Sequence, residues 1–375
     1  MPGESGHDFG AHHSPFPRPI VTGQKTSIPR RFQTLDALRG MGALAIMAFH
    51  LYCFGIFKGI FFTKGYLAVD LFFTLSGVVL AEAYTRRLSN GLSLAGFIRI
   101  RLVRFYPFYV LALLMSLSLL VSVTVVHFIG IHQFPMHVWN FLGIIIYSLS
   151  MLPMPFSEQL YPIVFSAWSL FYETIVNFFW AGMGVRLGKH WIWLVIMVSA
   201  VAMVFWGHAT GINGGQNWSD FKMGCCRVFY SFNMGLMIHA ADKKWIPRIN
   251  PWIILLLVLA VLGVAPPQSL SPLFDLTAAL LVLPFCVLLA TVSEPSSQVE
   301  SQLFSFLGET SYGIYMIHIS VVLTAQFLLE KFYRLPCPSM GVLLIVGVVT
   351  LAAWMDRVWD RPARRWLNRM SDPKF

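Results

Sequence analysis

The sequence is poor in charge. Only 12% of its 375 residues are Asp, Glu, Lys or Arg, about half the share of an ordinary soluble domain. Together with 57% hydrophobic residues and 15% aromatics, this excludes a disordered chain, a coiled coil and an ordinary soluble enzyme. No polar stretch is long enough for a separate soluble domain. Cysteine is also scarce: Cys53, Cys225, Cys226, Cys286 and Cys337 form no CxxC and no zinc-like pairing. They read as small apolar residues in helices, so no disulfide framework is expected. Residues 1–33 lack an apolar run, so no cleavable signal peptide is expected. His7, His12 and His13 read as part of a disordered tail rather than a metal site. No internal repeat is evident.

What remains is a series of apolar runs between residues 35 and 358, each near the length of about 20 residues that a membrane span needs. The run at 139–152 is short, and Pro153, Pro155 and Pro162 follow it, which break helices. If that run does not cross, most Lys and Arg fall on one side, leaving Lys58, Lys64, Lys222, Lys331 and Arg334 on the other. If it crosses, the asymmetry vanishes. The positive-inside rule favours the first arrangement. The expectation is an all-α polytopic membrane bundle. It has ten transmembrane helices plus one short outer-side re-entrant or interfacial helix, and both termini are cytoplasmic. The divisions are a disordered tail at 1–33, a transmembrane domain at 34–360 and a basic tail at 361–375. The formal charge of +10 then reports topology rather than nucleic-acid binding.

Ionisable residues inside spans are costly and mark function by default. In the first span Arg39 and His50 are eleven residues apart, three turns plus about 20°, so they share a face about 16 Å apart. Arg39 falls near the inner surface and His50 in the outer half. In the second span Asp70 lies near the outer end, as a functional group or an interfacial helix-start acid, and Ser76 lies near the midplane. Arg101 and Arg104 share a helical face at the inner surface, suited to bidentate phosphate binding or to a topology signal. Glu173, about a turn past Trp168, is placed at the depth of His50 and is expected to pair with it. Arg227 lies near the outer end of the sixth span, and His318 near the midplane of the ninth, as a functional or a satisfied interior histidine. His127, His132 and His137 are five residues apart on an outer loop, unsuited to metal ligation. No metal is expected.

An inner arginine cluster, an arginine at the inner mouth and a histidine in the outer half suit an enzyme that takes an activated group from a cytosolic phosphate-bearing donor. Acyl-CoA fits, and histidine suits general-base removal of a hydroxyl proton. Here the chain resembles the integral-membrane acyltransferase-3 family, over about residues 32–360. The matching pieces are LDALRG…FH, GYLAVDLFFTLSGVVL, RLVR, WSLFYE and SYGIYMIH. Phe171–Tyr172 before the acid of WSLFYE departs from many members, as does the absence of an appended esterase-like domain. The resemblance implies ten core spans in the inner membrane and acyl-CoA, most often acetyl-CoA, as co-substrate, with no tightly bound cofactor. It implies an extracytoplasmic carbohydrate hydroxyl as acceptor. His50 is the implied catalytic residue, and Arg39, Arg101 and Arg104 the donor-side residues. Glu173 matches the family's acid. Asp70, Ser76, Trp168, Arg227, Tyr315 and His318 are left as substrate or structural support. Two other readings stay open: a transporter or flippase of a glycan or lipid precursor, and an acyltransferase of an unrelated family.

Overall fold

The computed structural model describes residues 30–57, 62–130, 138–184, 188–332 and 338–370. The N-terminal histidines, the side chains of His127, His132 and His137, and Cys337 lie outside the described residues. The described elements are helical: α1 Gln33–Cys53, α2 Ala68–Ser89, α3 Leu94–Gly130, α4 Val138–Leu149, α5 Ala167–Phe179, α6 Lys189–Gly207, α7 Phe221–Ala240, α8 Pro251–Gly263, α9 Ser271–Thr277, α10 Leu283–Ala290, α11 Gln298–Phe332, α12 Pro338–Met355 and α13 Arg361–Arg369. Five-residue π turns join α9 to α10 (Ala278–Val282) and α12 to α13 (Asp356–Asp360), and a third, Trp180–Gly184, extends α5.

Among the described residues, six helical segments are long and apolar enough to cross a membrane: Gly65–Ser89, Leu94–Ser122, Lys189–Gly207, Gln268–Ala290, Gln298–Leu329 and Ser339–Arg369. The outward side chains of α6, including Trp191, Leu194, Val198, Val201 and Phe205, are exposed, as a lipid-facing helix requires. This is a membrane protein of apolar helices. The expectation of ten spans meets six on these criteria. The shortfall has physical causes. α1 holds Asp36, Arg39 and His50, and α7 is diluted by Lys222, Arg227 and His239. α5 and α8 have 13 residues each, a rise of only about 20 Å. α4, at 12 residues, matches the short element expected at 139–152.

Two close helix pairs form the frame, α1 with α11 and α2 with α7. Both close at glycines. A Cβ at Gly40 of α1 would meet the Leu307 Cβ at 2.5 Å, and one at Gly308 of α11 would meet the Asp36 Cβ at 2.5 Å. At the second crossing, a Cβ on Gly235 would meet the Thr74 carbonyl oxygen and lie 2.9 Å from the Gly77 Cα. Small residues at such crossings let backbones approach where lipid offers no hydrophobic drive. Backbone cannot yield as a flexible side chain can. Gly235→Ala is therefore expected to destabilise by about 1–3 kcal/mol, read as a lower thermal midpoint in detergent. Gly347→Ala, with nothing within 4 Å, is the neutral control. Equal midpoints for the two variants would refute the reading of this crossing.

Candidate functional site

α1 carries Arg39 near its start and half-buried His50 near its end. Its Asp36 holds Arg39 Nη1 at 3.3 Å and Arg31 Nε at 2.8 Å. These define an arginine end and a histidine end of the bundle.

At the histidine end, α11 brings His318, 1% exposed, against His50. The ring centroids are 5.1 Å apart, and His318 Nε2 lies 3.2 Å from His50 Nδ1. The hydrogen-bond partners fix the tautomers. His318 Nδ1 lies 2.8 Å from the Tyr315 carbonyl oxygen and 3.2 Å from that of Ile314. Both accept, so Nδ1 carries the proton and Nε2 keeps its lone pair. His50 Nδ1 lies 2.9 Å from the Ile46 carbonyl oxygen, so it too is protonated and donates to that oxygen, with His318 Nε2 as a second acceptor. His50 Nε2 is then left with its lone pair. Phe165 and Phe54 flank the His50 ring.

Glu173 is not the partner of His50. Its Oε1 accepts from Arg101 Nη2 at 2.9 Å and from Ser76 Oγ at 2.7 Å. Depth along a span fixes one coordinate only. The azimuth of α5 turns Glu173 toward α2 and α3. One turn earlier on α5, Ser169 Oγ is 2.6 Å from the Tyr315 hydroxyl. Glu173→Gln keeps a hydrogen-bonding amide but withdraws the charge that faces Arg101. The pair is largely buried, with side chains 12% and 19% exposed. The expected cost is about 1–3 kcal/mol, seen as a lower unfolding midpoint. An unchanged midpoint would show the pair to be energetically idle.

Two adjoining cavities occupy the arginine end. An inner cavity of about 460 Å³ runs into the bundle past Arg101, Arg104, Glu173 and Ser76 to Ser169 and Tyr315, one helical turn short of His318. A mouth cavity of about 670 Å³ opens beside it. Arg39, Arg104, Arg364 and Asn368 line both. The sequence reading assigned Arg39, Arg101 and Arg104 to this end; it did not single out Arg361, Arg364 or Arg365 of α13. Their spacing in RPARRWLNR places them on one helical stripe, which was the available signal. The basic tail expected at 361–375 is helical over 361–369 and forms a cavity wall.

Asp70 and Arg227 form a buried pair, each side chain 1% exposed. Nε donates to Oδ1 at 3.0 Å and Nη2 to Oδ2 at 2.6 Å. Arg227 also donates to the carbonyl oxygens of Gly214 at 2.8 Å and Tyr66 at 3.1 Å, and its guanidinium lies 5.7 Å from the Trp168 ring centre. Asp70 is thus not an interfacial helix-start acid. A second buried pair escaped the sequence reading. Lys64 Nζ donates to Asp275 Oδ1 at 2.5 Å, and Tyr66 donates to Oδ2 at 2.6 Å. Asp275 lies inside the apolar segment Gln268–Ala290, where an ionisable residue stands out, so its place in a span was the available signal. Among the described residues no group of three or more His, Cys, Asp and Glu could hold a metal ion.

A family model described as "Acyltransferase domain", of acyltransferase family 3, matches residues 32–357. "Protein 2 in picA locus" of Rhizobium radiobacter is 37% identical over 186 residues, 48% of this chain and 95% of that protein. "Putative acetyltransferase ORF330" of Acidianus two-tailed virus is 25% identical over 323 residues, 80% of this chain and 84% of that protein. No solved structure matches significantly.

Proposed function

Because the chain belongs to acyltransferase family 3, we propose that it is an inner-membrane O-acyltransferase. It moves an acyl group, acetyl in the first instance, from cytosolic acyl-CoA to a hydroxyl of an extracytoplasmic carbohydrate. The similarity to a protein named as an acetyltransferase supports the choice of acyl group. The observation that carries the reading is the pair of arginine-lined cavities, which lead from the mouth toward the paired histidines. In this reading the arginine end is cytoplasmic. The transporter reading has no comparable support.

The chemistry follows from the tautomers. His50 Nε2 takes the proton of the acceptor hydroxyl as its oxygen attacks the thioester carbonyl. The C–S bond breaks, and the thiolate of CoA leaves and recovers the proton from His50. Charge appears on the His50 ring as Nε2 is protonated. The Ile46 carbonyl oxygen and His318 Nε2, both near Nδ1, stabilise it and hold the ring in place. His318 is thus a positioning residue. Before transfer the acyl group passes the Ser169–Tyr315 hydroxyl pair at the end of the inner cavity.

Membranes containing the protein, given labelled acetyl-CoA, should place label in extracted surface polysaccharide, whereas membranes lacking it should not. If no acyl-CoA of any chain length transfers label, the reading fails.

A further inference from the structure

The mouth cavity holds more positive charge than its own carboxylates neutralise. Seven arginines line it (Arg30, Arg31, Arg39, Arg104, Arg361, Arg364 and Arg365) against four acids, Asp36, Glu82, Glu309 and Asp356. The acids are already engaged. Asp36 binds Arg31 and Arg39, Glu309 binds Arg31 and Arg361, Asp356 binds Arg361 and Arg364, and Glu82 binds His239. Arg104 and Arg365 form no ion pair with any described residue. Arg104 lies in the field of the positive charges of Arg39 and Arg364 and of the negative charge of Asp360. Two further carboxylates outside the lining meet this cluster, Glu294 at Arg30 and Asp360 at Arg364, and the net positive charge that remains draws anions to the mouth.

α13 is built to present this charge. The π turn at Asp356–Asp360 shifts the helical register between α12 and α13 and is anchored by Trp359 Nε1, which donates to the Pro107 carbonyl oxygen at 2.8 Å. Arg364 is oriented by Asp356 and Asp360, yet its Nε is buried with no partner among the described residues. Arg364 stands where the two cavities meet, and Arg365 faces the mouth alone. Beyond that junction the inner cavity is lined by Phe72, Phe73, Leu80 and Phe105 as well as Arg101. It suits a thin, mostly uncharged arm.

We propose that α13 is the phosphate-reading wall of the donor site, in which Arg364 and Arg365, with Arg104, grip the phosphate-bearing end of the donor and so select phosphorylated over unphosphorylated thioesters. The proposal rests on the acyl-CoA reading above and adds to it residues of the C-terminal helix.

The full chain in detergent is titrated with CoA, with 3′,5′-ADP as the isolated phosphate-bearing end, and with acetyl-pantetheine, which carries no phosphate. Arg365→Gln removes an exposed, unpaired guanidinium and leaves no carboxylate stranded, so folding is not at stake. It is expected to weaken CoA and 3′,5′-ADP about tenfold and to leave acetyl-pantetheine unchanged. Arg364→Gln is expected to weaken both further. Arg369→Gln, on a residue that lines neither cavity, should bind like the wild type. If the wild type binds CoA and both cavity variants bind it equally well, the role of α13 is overturned and the acyl-CoA reading stands. If the wild type binds neither CoA nor 3′,5′-ADP, the acyl-CoA reading fails and takes this proposal with it.

Discussion

Replacing His50 by glutamine is expected to lower acyl transfer by about 10²–10⁴-fold, the range that a general base contributes, while leaving CoA binding intact. The two effects separate because His50 lines neither cavity and lies about 16 Å along α1 from Arg39. Glutamine approximates the size of the ring and can still donate to the Ile46 carbonyl oxygen, but no basic nitrogen remains. His318→Leu tests the support rather than the base. It removes the second acceptor near His50 Nδ1, so the ring is held by Ile46 alone. The expected loss is about tenfold, one neutral hydrogen bond, and falls mainly on kcat. It should also move the pH profile of transfer, because the group that shares the His50 proton has changed; a merely structural His318 would leave the profile in place. Single-turnover transfer from labelled acetyl-CoA, with CoA binding measured on the same preparations, reads both variants. Full transfer by His50→Gln would remove the proposed base and the mechanism with it.

The sequence disclosed what depends on composition and on single helices. Scarcity of charge called for membrane helices, and the eleven-residue interval put Arg39 and His50 on one helix at opposite ends. What it withheld depends on two helices meeting. His318 was visible as a histidine in a span, but its contact with His50 is made across 268 positions of chain by the glycine-lined crossing of α1 and α11. The depth of Glu173 suggested His50 as its partner, whereas the rotation of α5 gave it Arg101 and Ser76. Arg364 and Arg365 looked like a topology signal because the π turn before them, which shifts the register of their stripe, has no signature in composition. Asp70 and Arg227 each stood out as an ion at a span's end. Neither sequence segment named the other.

That last pair carries the largest stability effect expected of this chain. Asp70→Asn leaves Arg227, 1% exposed, as a buried charge with no carboxylate against it. Loss of one partner of such a pair costs about 3–5 kcal/mol, comparable with the whole stability of many proteins. The variant should be aggregated or sharply lowered in thermal midpoint. The double variant Asp70→Leu/Arg227→Met removes both charges and should recover part of the loss. Recovery is incomplete because the Gly214 and Tyr66 carbonyl oxygens lose their donor, at about 1–3 kcal/mol for each one left unsatisfied. The clamp also has no room for adjustment: Gly215, beside Gly214, has φ +114°, and a Cβ there would lie 2.9 Å from the Trp168 ring, which itself lies beside Arg227. An Asp70→Asn midpoint equal to wild type would overturn this account. The contrast with His50 is the informative one. His50→Gln should leave a folded, CoA-binding protein that does not transfer, whereas Asp70→Asn should lose folding, binding and transfer together. The buried pair then acts by holding the α2–α7 frame and the loop over it in place, and in the proposed mechanism the chemistry belongs to His50.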